Sequence, residues 1–251
     1  MMEHDFMKPL KKTLLVLLAA CPLLGVASTE GYKNDIAPIN PQDKISLQRG
    51  ARNFVNYCMG CHSAAYMRYS RLTDLGLSEQ QIKDNLVPTA AKVGETMAIA
   101  MTHDDAKQWF GVAPPDLSVI ARSRSVDWLY TYLRSYYHDP STATGWNNLR
   151  FPNVARPHVL WQLQGTQVLK VSEKAEHGHK IEVKQLLLEQ PGQLPPKEYD
   201  LFVADLVNYL SYMAEPAKTE RMQLGVIVLF FLVLFFVVAL FLKKEYWKDV
   251  K

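Results

Sequence analysis

Between Leu224 and Leu242 the chain runs for 19 residues without a charged or amide side chain, and no other feature limits its fold as much. At 1.5 Å per residue this is about 28 Å of helix, close to the thickness of a bilayer's hydrocarbon core. A helix buried in a soluble core would ordinarily interrupt its apolar circumference with polar positions, so residues 221–242 read as a membrane anchor. Lys243, Lys244, Lys248 and Lys251 follow the run, and only Arg221 closely precedes it. The positive-inside bias therefore places residues 243–251 in the cytoplasm as a short tail, with Tyr246 and Trp247 suited to the interface.

At the other end, Lys8, Lys11 and Lys12 precede an apolar run from Leu14 to Val26, closed by the small residues Ala27 and Ser28. That order describes a secretory signal peptide over residues 1–27. A retained anchor is the alternative, but the run is shorter than the roughly 20 residues a span needs. Cys21 after Leu18-Ala19-Ala20 offers a lipoprotein cleavage box as a further alternative, against which Pro22 and Leu23-Leu24 speak. Residues 28–220 are then an exported body, held in the periplasm of a bacterial cell by one pass through the inner membrane.

The whole chain carries 28 basic and 25 acidic residues, but residues 28–220 hold 20 basic and 21 acidic. The basic excess belongs to the ends, so no nucleic-acid surface is indicated. With 48% apolar and 21% charged residues the body is not a disordered tail.

Three cysteines are too few for a disulfide framework, and only Cys58 and Cys61 lie near each other. They form Cys58-Met59-Gly60-Cys61-His62, the C-x-x-C-H pattern of covalent c-type haem attachment. Thiols three positions apart share one side of a helical turn and can add to the two vinyl groups of one porphyrin edge. His62 is then placed to bring its imidazole to the iron. With 3 cysteines and 7 histidines in 251 residues, chance would produce about 0.001 such pentads. A thioredoxin-like redox pair would not need His62 and would sit in a βαβ pattern, and a zinc site would need a second ligand pair. One covalent haem c is the cofactor expected.

Helical periodicity places Leu47, Ala51, Phe54 and Val55 on one face of a helix over Ile45–Tyr57, running into the pentad. Pro195-Pro196 introduces a second helix over Lys197–Met213, with Tyr199, Phe202, Val203, Leu206, Val207, Leu210 and Met213 at helical spacing. A helix entering the haem pentad and a last helix able to cross it predict a mostly α, class I cytochrome c-like haem domain. Ser125 is predicted to cap a helix over Val126–Tyr137 with Trp128, Leu129, Tyr132, Leu133 and Tyr136 on its buried face. Gln167–Val171 and Lys180–Val183 predict a small β-hairpin insert joined through His177-Gly178-His179. The two histidines of that turn offer a metal site or, more simply, an exposed polar turn. Pro191 to Pro196 reads as a turn-rich link into the last helix.

Longer pieces make the identity of the body more specific. They are Asn56-Tyr57-Cys58-Met59-Gly60-Cys61-His62-Ser63, Trp109-Phe110-Gly111-Val112-Ala113-Pro114-Pro115-Asp116-Leu117-Ser118, Asp127-Trp128-Leu129-Tyr130 and Phe151-Pro152-Asn153-Val154. With an anchor ending Lys243-Lys244-Glu245-Tyr246-Trp247-Lys248, the chain resembles the cytochrome c1 family from about Asp43 to its C-terminus. That family supplies the haem subunit of the quinol:cytochrome c oxidoreductase complex. The resemblance implies that Pro114 and Pro115 wall the haem and that Arg122 or Arg124 pairs with a propionate, a bidentate charge-assisted contact. It also implies an electron carrier rather than a complete enzyme. Electrons would come from the Rieske iron–sulfur protein and pass to a soluble cytochrome c, with the anchor beside cytochrome b in membrane lipid. Two alternatives stay open: a membrane-anchored donor to an oxidase, which the Trp109–Ser118 block argues against, and a haem-based ligand binder or peroxidase-like protein.

One position departs from the family's pattern. The segment after Phe-Pro-Asn is expected to carry the methionine that completes the iron, yet the chain reads Val154-Ala155-Arg156-Pro157-His158. A guanidinium stays protonated and has no lone pair to offer a metal. The iron is then five-coordinate or takes a substitute, His158 or Met101. Met/His ligation raises the haem potential, so Arg156 predicts a lowered one.

Overall fold

The helix that carries the haem pentad starts at a side-chain cap. In a computed structural model that describes residues 33–87, 92–176 and 179–249, the Asp43 carboxylate accepts the N–H groups of Ile45 and Ser46 and opens α1 (Lys44–Tyr57). Removing such a cap typically costs about 1 kcal/mol. Leu47, Ala51, Phe54 and Val55 are buried along one face, as their spacing predicts. The expected signal peptide over residues 1–27, Cys21 within it, and the turn residues His177 and Gly178 lie outside the described residues.

The chain continues through β1 (Ala64–Arg68), a 3-10 turn over Tyr69–Leu75, α2 (Glu79–Asn85), β2 (Thr96–Met97) and α3 (His103–Phe110). Next come α4 (Ile120–Arg124), α5 (Val126–Arg134), β3 (Tyr136–His138), β4 (Trp146–Asn148) and α6 (Trp161–Gln164). The long hairpin β5 (Gly165–Glu176) and β6 (His179–Pro191) leads to α7 (Pro196–Ala214) and α8 (Lys218–Tyr246). The strands pair antiparallel as β1–β2, β3–β4 and β5–β6, so the described chain is helices with small two-stranded sheets.

The core forms where α1 meets α7. Gly50 is required there, because a Cβ at that position would lie 2.1 Å from the Asp205 carbonyl oxygen and 2.6 Å from Tyr209 Cβ. Around this close approach the Arg49 fork pairs with Asp205 at 2.5 and 2.8 Å. Asn208 donates to the Asn40 carbonyl at 2.7 Å and to Ser46 Oγ at 2.9 Å. The Phe54 and Tyr209 rings meet 5.7 Å apart. Proline at the first turn of α7 loses no helical hydrogen bond, which is why the helix begins there.

Two segments differ from the sequence prediction. The helix expected over Val126–Tyr137 stops at Arg134, and Tyr136 belongs to β3, paired with Asn148. Ser135 turns the chain out of the helix, and the Asn148 side chain accepts from its Oγ at 3.2 Å. The hairpin is longer than predicted, from Gly165 to Pro191. Its base is tight: Gly165 has φ +90°, and a Cβ there would lie 2.2 Å from the Gln190 carbonyl oxygen.

α8 contains the apolar run. Its side chains from Leu224 to Leu242 are exposed around the whole circumference, and Glu220–Tyr246 is long and apolar enough to cross a membrane. A fully apolar exposed surface is stable in lipid and not in water. Arg221 forms an ion pair with Glu215 at the junction between α7 and α8.

Candidate haem site

The pentad is held by the end of α1. Cys58 and Met59 N–H both reach the Phe54 carbonyl, and Cys61 and His62 N–H turn back to the Cys58 carbonyl at 3.1 and 2.9 Å. This tight turn puts both thiols and the imidazole on one short stretch of backbone. Neither cysteine is in a disulfide, and Cys58 is buried while Cys61 is partly exposed. Burial, the largest influence, pushes the Cys58 thiol up to about 11, so it stays protonated at neutral pH.

His62 is buried, and its Nδ1 lies 2.7 Å from the Pro115 carbonyl oxygen. Burial lowers its pKa, with the Pro115 carbonyl opposing and Arg156 adding to the shift, so the ring is neutral at pH 7. With the proton on Nδ1 donated to Pro115, the Nε2 lone pair is left for a metal. Two unpaired thiols and a neutral imidazole with its ε-nitrogen free fit a covalently attached haem by the chemistry of their donors.

The carbonyl that orients His62 is itself fixed. Asp116 accepts from Ala65 N–H and from Ser118 N–H, both at 2.8 Å, and Leu117 N–H donates to the Ser63 carbonyl at 2.8 Å. Tyr66 N–H donates to Ser118 Oγ at 3.1 Å. Residues 115–118 are thereby stitched along residues 62–66. Pro115 thus meets His62 through its main chain. Sequence reading missed Asp116 and Ser118, although an aspartate two residues before a serine in a Pro-Pro loop is a recognisable Asx-turn signal.

Arg156 is brought near the pentad by the loop that precedes it. Asn147 and Asn148 shape the approach: Asn148 Oδ1 accepts Arg150 and Phe151 N–H, both at 2.9 Å, and Asn147 Oδ1 accepts Asn153 N–H at 2.8 Å. Asn153 adopts φ +60°, a left-handed conformation asparagine tolerates. The chain then delivers Arg156, whose Nε donates to the Tyr136 hydroxyl at 3.1 Å. Its Cζ stands 5.4 Å from both the Tyr132 and Tyr136 ring centres. Its Nη2 is shut from solvent and has no hydrogen-bond partner. The Arg156 charge acts on both the Cys58 thiol and the His62 imidazole, so the arginine lies near the pentad.

His158 is 1% exposed and stacks on Tyr136 at 4.6 Å and 6°, with Trp146 edge-on at 5.2 Å. Burial brings its pKa down to about 3, Gln164 opposing and Arg156 adding, and neither ring nitrogen meets a partner at hydrogen-bonding geometry. Met101 is half-buried, two residues after Ile99, whose N–H is held by Ser63 Oγ at 3.1 Å. Its segment is therefore tied to the residue that follows His62. Arg122 and Arg124 are exposed in the last turn of α4, with Arg124 Cζ 5.3 Å from the Trp128 ring centre.

A family model described as the Cytochrome C1 family matches residues 36–250. The chain is 49% identical, over 97% of its length and all of the other, to a protein of Nitrosomonas europaea named ammonia monooxygenase gamma subunit. It is 48% identical to cytochrome c1 of Allochromatium vinosum over 96% of this chain and 99% of that one. It is 28% identical to cytochrome c1 of Rhodospirillum rubrum over 83% of each chain.

Proposed function

The chain belongs to the cytochrome c1 family, whose members are electron-transfer subunits of the bc1 complex carrying covalent haem c, and from this premise we propose how its residues serve that role. Cys58 and Cys61 would hold the porphyrin through thioethers, and His62 would offer its Nε2 to the iron. The haem, once attached, supplies the one-electron redox chemistry. The residues around it position it and set its surroundings. The observation that carries this reading is the His62–Pro115 hydrogen bond beside two unpaired thiols, which leaves one ring nitrogen and both sulfurs for the cofactor.

The direction of transfer follows from the family. The donor is the Rieske iron–sulfur protein, the acceptor a soluble cytochrome c, and cytochrome b is the neighbour of the anchor. Residues 28–220 form a class I cytochrome c-like domain in the periplasm after loss of residues 1–27, and residues 221–242 anchor it with residues 243–251 in the cytoplasm. The helix crossing at Gly50 and Asp205 supports the class I reading, and Lys243 and Lys244 at the end of α8 support the orientation. Arg122 and Arg124, exposed and without an acidic partner among the described residues, are available to the propionates. The name of the Nitrosomonas europaea relative would suggest a monooxygenase role. The haem pentad and the family match over residues 36–250 support the electron-carrier role instead.

The test uses the full chain purified in detergent. A peroxidase stain of the denatured polypeptide is expected to show covalent haem, lost when Cys58 and Cys61 are both changed to serine. The oxidised protein is expected to accept electrons from a reduced Rieske protein. A wild-type polypeptide without bound haem overturns the reading.

A further inference from the structure

Arg156, whose charge is felt at His62 and Cys58, sits in a buried polar cluster. Tyr136 is fully buried, its hydroxyl is 2.5 Å from that of Tyr132, and it accepts Arg156 Nε. The hydroxyl pins one edge of the guanidinium, while the Tyr136 ring stacks against His158. The other arm, Nη2, is sealed and unpartnered. A guanidinium cannot lose its proton and accepts no hydrogen bond, so only an acceptor, preferably a negative one, satisfies that arm. The described residues do not supply one: Asp205 is the buried acidic residue among them, and Arg49 engages it at the helix crossing.

We propose that Arg156, positioned by Tyr136, is the distal half of a binding site for one small monovalent anion at the sixth position of the haem iron. This inference rests on the attachment of haem by Cys58, Cys61 and His62. The chemistry is that of a halide, a pseudohalide or a small oxyanion: one negative charge toward the ferric metal and one lone pair toward Nη2. Arg156 contributes a fixed charge and a directed donor without entering the coordination sphere. Tyr136 is a positioning residue, since its hydroxyl holds Nε.

Fluoride is the probe, titrated into the ferric full-chain protein in detergent and read by the high-spin visible spectrum and electron paramagnetic resonance. Wild type is expected to bind it. Arg156→Leu is expected to bind it roughly tenfold or more weakly, as loss of a charge-assisted hydrogen bond implies. Tyr136→Phe, which keeps the ring and the charge, is expected to show a smaller loss in the same direction. Arg156→Met is expected to abolish binding and introduce a sulfur-to-iron charge-transfer band. A haem-loaded wild type that binds no fluoride overturns the proposal, because a protein group then caps the iron. Equal affinity in wild type and Arg156→Leu also overturns it, because Nη2 then serves a propionate or the packing. If Arg156→Leu fails to incorporate haem, the wild-type titration and Tyr136→Phe still decide. Absence of covalent haem in the wild type, read by the stain, is a separate failure that belongs to the attachment site.

Discussion

His62 Nδ1 and the Pro115 carbonyl oxygen, 53 positions apart in the chain, stand 2.7 Å from each other, and this contact selects which imidazole nitrogen a metal can use. The carbonyl is held in turn by the clamp of Asp116 across residues 62–66. Replacing Asp116 by alanine removes two acceptors from main-chain N–H groups at a water-accessible site. The expected loss is about 1 kcal/mol of folding stability, measured by urea unfolding, together with a weaker hold on the His62 tautomer, read as a shifted haem absorption spectrum.

The helix crossing sets a steric limit. Gly50→Ala places a methyl group 2.1 Å from the Asp205 carbonyl oxygen, where main chain rather than a flexible side chain must yield. A destabilisation of about 1–3 kcal/mol is expected, seen as a lower urea midpoint. Because α1 leads directly into Cys58, haem incorporation should fall as well.

His158 gives the protein an acid limit. Its folded pKa is lowered from 6.5 to about 3, so below pH 6.5 the unfolded chain binds a proton that the folded chain refuses. Stability contributed by the neutral ring is full above pH 6.5 and is lost as pH falls toward 3, by at most about 1.4 kcal/mol per pH unit. His158→Phe keeps an aromatic ring stacked on Tyr136 and removes two unpartnered nitrogens. Unfolding followed across pH should show a flatter acid limb for this variant and no loss at pH 7.

Arg156→Met tests the departure from the family's pattern in the redox readout. A thioether at the sixth position favours the ferrous haem, and removal of a buried positive charge works the other way. The ligand change is expected to win, raising the midpoint potential by about 100 mV or more. At about 59 mV per tenfold for one electron, redox titration of the two proteins resolves this easily. A midpoint unchanged by the substitution would mean that Arg156 does not occupy the ligand position.

Much of this architecture can be read from residues close together in the chain. The haem pentad is a local turn, the apolar stripes of α1 and α7 are periodic, and the run from Leu224 to Leu242 needs only its length and composition to call for lipid. Each is a property of side chains within one helix or one turn, so local chemistry suffices. Helical spacing was misleading at Tyr136, which fits the stripe of α5 yet lies in β3. There the helix period competes with a strand pairing to Asn148 that no local pattern announces.

The remaining features exist only once distant segments meet. Pro115 acts through a carbonyl, which every residue possesses, so its pairing with His62 has no sequence signature. Arg49 and Asp205 are 156 residues apart, and either one alone reads as an ordinary surface charge. Arg156 is legible as an arginine where a methionine was expected. Its hydrogen bond to Tyr136, its unpartnered Nη2 and its influence on His62 arise because the loop shaped by Asn147 and Asn148 carries it against Tyr136 and near the pentad. Composition and periodicity could settle which segments become helix and turn and which helix is apolar enough to cross a membrane, because those choices are made within a few residues. The environment of the metal depended on long-range packing, since burial and hydrogen-bond partners are properties of a neighbourhood in space.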